Sequence, residues 1–223
     1  MDEGPPSTRV PPVRRPPPSA WLVALLGRIT TGARSTGIFH TVARHRRLSR
    51  WWLPFAGTLL LRGDLPRLDT ELVVLRTAWN CASWYEWVQH VPLALRAGLT
   101  SEQIESVPVG AAAPLLTGRQ RVLLEATDEL HQARVITDPT WETLAAELTP
   151  EECIELCFVV GHYEMLAMAL NSLGVRAEDE ARRRLGPGSA VAGEQLRETL
   201  SRLRSSPASP RRRPSSTPGS ACG

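Results

Sequence analysis

The chain has 223 residues, 42% of them hydrophobic and 22% charged, a length that defaults to one domain with a sizeable core. All 26 residues in the Lys+Arg count are Arg, which excludes internal-lysine Schiff-base chemistry and the lysine of a P-loop. The net charge of +3 is unevenly placed: residues 1–20 hold three Arg and two acids, residues 176–223 ten Arg and five acids, and residues 21–175 thirteen Arg and sixteen acids, an acidic centre that argues against a nucleic-acid-binding core.

In chain order, residues 1–20 are rich in Pro and Arg and read as a disordered tail. Arg14-Arg15 is followed by three prolines, the apolar stretch 21–27 is short and no small-x-small site follows it. The cytoplasm therefore fits better than export. Short helices are expected at 21–28, 37–44 and 48–61. The apolar run 51–61 is interrupted by Pro54 and Gly57 and falls short of the roughly 20 residues that span a bilayer, so no membrane partner is expected. Residues 71–79 and 84–97 continue the helical pattern, with Gly98 as the stop. Thr100 or Ser101 caps the next helix, with acids in its first turn. At 118–133 the apolar residues Val122, Leu123, Ala126, Leu130 and Ala133 fall at helical spacing. Asp138-Pro139-Thr140 caps a helix at 141–148, and Thr149-Pro150-Glu151-Glu152 opens a long apolar helix, 153–173, that ends at Gly174. A helical extension is assigned to 176–204 and a second disordered tail to 205–223. No alternating strand pattern of any length occurs, so the fold class is all-α. A faint echo links Glu71, Tyr85-Glu86-Trp87 and Gly98 to Glu152, Tyr163-Glu164-Met165 and Gly174, suggesting a duplicated helical unit.

The chemistry-bearing residues concentrate in 69–90. At about 100° per residue, Ser83, Glu86 and His90 share one helical face, while Cys81 lies about 160° away. A carboxylate beside a histidine is the usual pairing for proton transfer near neutral pH, because it fixes the tautomer and stabilises the imidazolium. The alternative is structural: Ser83-Trp-Tyr-Glu86 has the spacing of a capping box, and His90 could be a satisfied core histidine. Arg76 either holds a substrate carboxylate or makes a structural ion pair. The four cysteines make no disulfide scaffold, and no His/Cys cluster has metal-ligand spacing beyond pairs, so no metal is expected. Cys153-x3-Cys157 reads as core packing. Trp51, Trp52, Trp79, Trp84 and Trp87 read as core or subunit interface, not as base-stacking platforms.

The stretch 71–90, with Leu-Arg-Thr-Ala-Trp-Asn80 and Tyr85-Glu86-Trp-x-x-His90, resembles the carboxymuconolactone decarboxylase-like family, which includes the alkylhydroperoxidase D proteins. Gly161-His-Tyr-Glu164 through Val175 is similar to the family's closing helix, and 39–55 to the N-terminal segment of its longer members. The resemblance covers about residues 36–175. It implies the alkylhydroperoxidase D-like helical fold and a homo-oligomer, a trimer or hexamer. The redox members carry a Glu, a Cys-x-x-Cys and a His. Glu71 and His90 match the Glu and the His, but Ser83 and Glu86 stand at the thiol positions, and neither can form a thiolate or disulfide. The dithiol peroxidase mechanism is thereby removed and the acid/base pair kept.

The expectation is a cofactor-free lyase or isomerase of the decarboxylase-like branch, acting on a small organic acid or lactone. His90, Glu71 and Glu86 are the expected catalytic residues, and Ser83, Tyr85 and Arg76 the expected substrate-binding ones. Alkylhydroperoxidase-type activity and a non-catalytic oligomeric module are the alternatives.

Overall fold

The computed structural model describes residues 8–13, 37–177, 182–183 and 185–205. The helix expected at 21–28, most of the tail 1–20 and residues 206–223 lie outside the described residues. Residues 8–13 depart from the expected disordered tail: the Arg9 and Val10 amides both donate to the Leu173 carbonyl at 2.9 and 3.3 Å, and the Val13 amide donates to His40 O at 3.1 Å.

Among the described residues every regular element is helical. We label them α1 (Gly37–Val42), α2 (Arg46–Leu61), α3 (Arg67–Asn80), α4 (Trp84–Ala97), α5 (Ser101–Ser106), a 3-10 segment (Val107–Ala112), α6 (Gly118–Ala133), α7 (Asp138–Glu147), α8 (Pro150–Leu173) and α9 (Pro187–Ser205). Reciprocal capping boxes start three of them. Thr100 pairs with Gln103 at α5, Thr117 with Gln120 at α6 and Thr149 with Glu152 at α8, each satisfying amides that the first helical turn leaves unpaired. Gly98 and Gly174 end α4 and α8 in left-handed conformations, at φ 110° and 70°, where a Cβ would be strained.

Helix α3 is the axis of the domain and packs against α4, α6 and α8. Its sequence carries apolar residues on two sides, and both are buried. Val73 and Val74 join a core with Leu123, Leu144, Leu156 and Val160. Leu72 and Leu75 join a second with Trp87, Val91, Ile104 and Leu124. Helix α9 closes that second core through Ala192 and Leu196, and the Trp87 indole donates to Ser189 O at 3.0 Å.

Helix α8 is long and apolar enough to cross a bilayer by length and composition alone. It packs against α2, α3, α6 and α7 yet leaves Ile154, Phe158, Met165 and Met168 exposed, as α2 leaves Trp51 and Phe55. The expected Cys153/Cys157 core pair is split: Cys153 is buried and Cys157 exposed. The echo between the halves is also broken, because α8 is one unbroken helix whereas its counterpart divides into α3 and α4.

Candidate active site

The two helices expected at 71–79 and 84–97 are present as α3 and α4, joined by Cys81-Ala82-Ser83. Cys81 is the C-cap of α3, Ser83 the N-cap of α4, and Ala82 between them has φ 49°. A non-glycine residue in that region carries strain of about 1–2 kcal/mol. The Ser83 amide donates to Ala78 O at 2.8 Å, and the Asn171 side-chain amide donates to Cys81 O at 2.9 Å, which holds the turn. The 160° separation of Cys81 from Ser83 therefore has no meaning, since no single helix spans both.

Glu71 on α3 and His90 on α4 meet as expected. The His90 Nδ1 and Glu71 Oε2 are 2.7 Å apart, with Glu71 fully buried and His90 8% exposed. The second Glu71 oxygen is ion-paired to Arg67, one turn earlier on α3. The Arg67 guanidinium also donates to Leu60 O at the end of α2. The buried carboxylate thus has a cation on one side and an imidazole on the other, which satisfies it and fixes the imidazole tautomer. With Nδ1 engaged, Nε2 is the nitrogen left for chemistry.

Glu86 and Ser83 lie on the same α4 face as His90, and both are buried. Their spacing is that of a capping box, but Ser83 makes no capping hydrogen bond. Among the described residues neither Glu86 oxygen and not the Ser83 hydroxyl has a hydrogen-bond partner. Burial pushes the Glu86 carboxyl up to about 8, because the charged form is poorly solvated there. The nearby Ser83 hydroxyl opposes this slightly without reaching hydrogen-bond geometry. At neutral pH Glu86 is a protonated acid.

Two residues that the sequence did not single out complete the site, both from α8. The Tyr163 ring stands edge-on to His90 with centroids 5.0 Å apart. Burial raises its hydroxyl well above the ordinary tyrosine range, with the Glu71 charge adding to this, Arg67 opposing it and Glu86 contributing further. Tyr163 is thus near both carboxyl groups. His162 stacks on Trp52 at 6.2 Å and meets Phe55 edge-on at 5.3 Å. Its buried Nδ1 has no partner among the described residues. Burial, with the His90 charge second, brings His162 down to about 4, so it is neutral at pH 7. The motif 161–164 was the available signal, but nothing in its spacing aims His162 or Tyr163 at His90, 72 and 73 positions earlier.

Two expected substrate-binding residues are engaged elsewhere. The Arg76 guanidinium grips Asp128 with two hydrogen bonds of 2.7 and 2.8 Å and donates to the carbonyls of Val107 and Pro108 at 2.7 and 3.0 Å. It is a structural clamp between α3, α6 and the 3-10 segment, with four of its five N–H donors taken by the protein. The Tyr85 hydroxyl accepts from the Ile38 amide at 3.2 Å, and its ring packs with Ile38 and Leu170, which anchors α1.

On the other side of the turn, Cys81, His131 and Glu164 converge. The Cys81 Sγ and His131 Nδ1 are 3.8 Å apart, and His131 Nδ1 and Glu164 Oε1 2.7 Å. Burial, then the Glu164 and Glu86 charges, pushes the Cys81 thiol up to about 12 against a small opposing effect of Arg134. Such a thiol is a poor nucleophile at neutral pH.

Residues 46–129 match the model of the carboxymuconolactone decarboxylase family. That segment, from the start of α2 into α6, is similar to this family. The fold agrees with solved structures of alkylhydroperoxidase D type. An uncharacterised peroxidase-related protein with an AhpD core from Ralstonia eutropha JMP134 is 20% identical, with TM-score 0.69, covering 79% of this chain and 95% of that one. A second peroxidase-related protein, from Silicibacter sp. TM1040, is 15% identical with TM-score 0.70, over 81% of this chain and 97% of that one. The debrominase Bmp8 is 12% identical with TM-score 0.69, covering 85% of this chain and 98% of the other. No protein of curated function matches. By the resemblance read from the sequence, Glu71 and His90 correspond to the Glu and His of the redox members, and Ser83 and Glu86 to their two thiols.

Proposed function

We propose that this carboxymuconolactone decarboxylase-like protein is an enzyme of proton-transfer chemistry, a lyase or isomerase acting on a small organic acid or lactone. The observation that carries the reading is the placing of two groups on one face of α4: His90, bonded through Nδ1 to buried Glu71, and Glu86, buried without hydrogen-bond partners among the described residues and held protonated to about 8. An imidazole nitrogen can accept a proton and a protonated carboxyl can give one, and proton-transfer catalysis needs both roles in one site.

In the decarboxylating version, carbon dioxide leaves a β,γ-unsaturated lactone acid and its bonding electrons pass into the substrate's own carbonyl system, giving a dienolate. Glu86 then donates its proton to carbon, and the proton is replaced through His90. In the isomerising version, His90 takes a proton from a carbon next to the carbonyl while Glu86 returns one at the far end of the dienolate. Glu71, backed by Arg67, orients the imidazole and stabilises its charged form in both. The burial of Ser83, Glu86 and His90 keeps bulk water from competing. The debrominase structure solved with 2,3,4-tribromopyrrole supports a small, flat organic ligand for a site of this fold. Dithiol peroxidase activity is disfavoured by Ser83 and Glu86, and by the protonated state of Cys81.

The test is turnover of β,γ-unsaturated lactone acids in deuterated water, reading deuterium incorporated at carbon. His90→Asn is expected to lower the rate 10²–10⁴-fold while the melting temperature stays close to wild type. Full activity in a folded His90→Asn protein contradicts the reading. The expected homo-oligomer belongs to the same proposal. The exposed apolar side chains of α2 and α8 are the surface it would bury, and a monomer near 24.5 kDa by light scattering at micromolar concentration would count against it.

A further inference from the structure

We propose that Cys81, His131 and Glu164 form a divalent metal site of the zinc type, with a fourth position open to water or a ligand. The three side chains come from three elements: the C-cap of α3, the last turn of α6 and the middle of α8. Their ligand atoms all lie within 4.8 Å of one another. Tetrahedral zinc with bonds of about 2.0–2.3 Å sets ligand atoms about 3.3–3.6 Å apart. The 3.8 Å between Cys81 Sγ and His131 Nδ1 is close to that already. The 2.7 Å between His131 Nδ1 and Glu164 Oε1 must open by well under 1 Å, which a half-exposed imidazole at a helix end can provide.

The donor set selects the ion class. A thiolate, an imidazole and one carboxylate suit zinc, cobalt(II) or iron(II) and are poor for magnesium or calcium, which take oxygen ligands. Three protein ligands and a vacant fourth place is the pattern of zinc sites that keep an exchangeable position. Cys81 is held for this by its backbone, since Asn171 of α8 binds its carbonyl at 2.9 Å.

Charge balance points the same way. Without a metal Cys81 keeps its proton; a bound divalent cation displaces that proton to solvent, and Cys81 and Glu164 then supply two negative charges against its two positive ones. The cation facing them is Arg134, whose NH1 is 3.3 Å from Glu164 and whose side chain is 63% exposed. Arg134 also donates to the Leu130 and His131 carbonyls, so it can leave Glu164 and keep partners. The competing account is a plain ion-pair network of His131, Glu164 and Arg134 with Cys81 packed against it. The metal site does not depend on the proton-transfer reading.

The experiment is titration of the full-length protein, stripped with chelator, with cobalt(II). One equivalent should give the thiolate-to-cobalt charge-transfer absorption in the near ultraviolet and visible bands of tetrahedral strength, and zinc should remove both. Cys81→Ser, close to isosteric, should abolish the charge-transfer band. His131→Ala and Glu164→Gln should each weaken binding tenfold or more, since even outer-shell changes cost 10–100-fold. A variant with Cys153, Cys157 and Cys222 all replaced by Ser should keep the bands. Circular dichroism confirms that each variant is folded, and if Cys81→Ser does not fold, the half-exposed His131→Ala decides. The proposal is overturned by absence of the charge-transfer band in the wild type, by its persistence in Cys81→Ser, or by unchanged affinity in folded His131→Ala.

Discussion

Arg76 on α3 and Glu86 on α4 are both charged residue types taken largely out of water, and the fold treats them in opposite ways. Around Arg76, Asp128 supplies both carboxylate oxygens and the 3-10 segment two carbonyls. Asn80 adds a 2.8 Å hydrogen bond to Asp128. Around Glu86, both oxygens and the adjacent Ser83 hydroxyl are buried without a hydrogen bond among the described residues. A chain that gives Arg76 four hydrogen bonds and leaves the Glu86 carboxyl with none among the described residues has not run short of partners. Open networks cost stability, and they concentrate where function requires them.

Three substitutions sharpen that contrast. The largest effect is expected from Arg76→Met, which strands Asp128 and two carbonyls. It should lower unfolding free energy by about 3–5 kcal/mol, read from the urea midpoint at unchanged slope. A loss below about 1 kcal/mol would make the clamp a surface ornament.

Glu86→Gln should do the reverse and remove a pH dependence. Below its ordinary value Glu86 is protonated in both folded and unfolded chains. Between that value and about 8 only the unfolded chain ionises, so stability falls as pH rises and levels off above about 8. His162, lowered to about 4, works in the opposite sense, with stability rising from pH 4 to its ordinary value near 6.5. From pH 6.5 to 8 Glu86 therefore acts alone of these two, and the wild type should lose roughly 2 kcal/mol relative to Glu86→Gln. Parallel stability curves for the two proteins across that window would sink the idea.

The smallest effect belongs to Ser83→Ala. Replacing a working N-cap costs about 1 kcal/mol, whereas removing a buried hydroxyl without a partner should change stability by less than about 0.5 kcal/mol. Thermal unfolding of the variant distinguishes the two.

These contrasts also mark where sequence reasoning succeeds. Helix ends at Thr100, Thr149, Gly98 and Gly174 were legible because caps and left-handed stops are local chemistry. The Glu71–His90 pair was legible because the family resemblance aligned it. The break between the helices at 71–79 and 84–97 was legible in outline, with Ser83 as a candidate cap, but its geometry was not, since the turn carries no Gly or Pro and is made by Ala82 at φ 49°. Counting helical angles across that turn put Cys81 on the wrong side of a helix that does not exist there. Arg76 and Tyr85 were misassigned because their partners, Asp128 and Ile38, are 52 and 47 residues away. Distant packing likewise brings in Tyr163 and His162, and gathers Cys81, His131 and Glu164 across intervals that no spacing rule reads.

The central claim is that Glu86 is held as a protonated acid beside a histidine tied to Glu71, and infrared difference spectroscopy across a pH titration tests it directly without a substrate. Wild type minus Glu86→Gln should show one protonated carboxyl band at pH 6–7, replaced by carboxylate bands with a midpoint near pH 8. A Glu86 that is already ionised at pH 6, with no carboxylic acid band distinguishing the two proteins, would contradict the account.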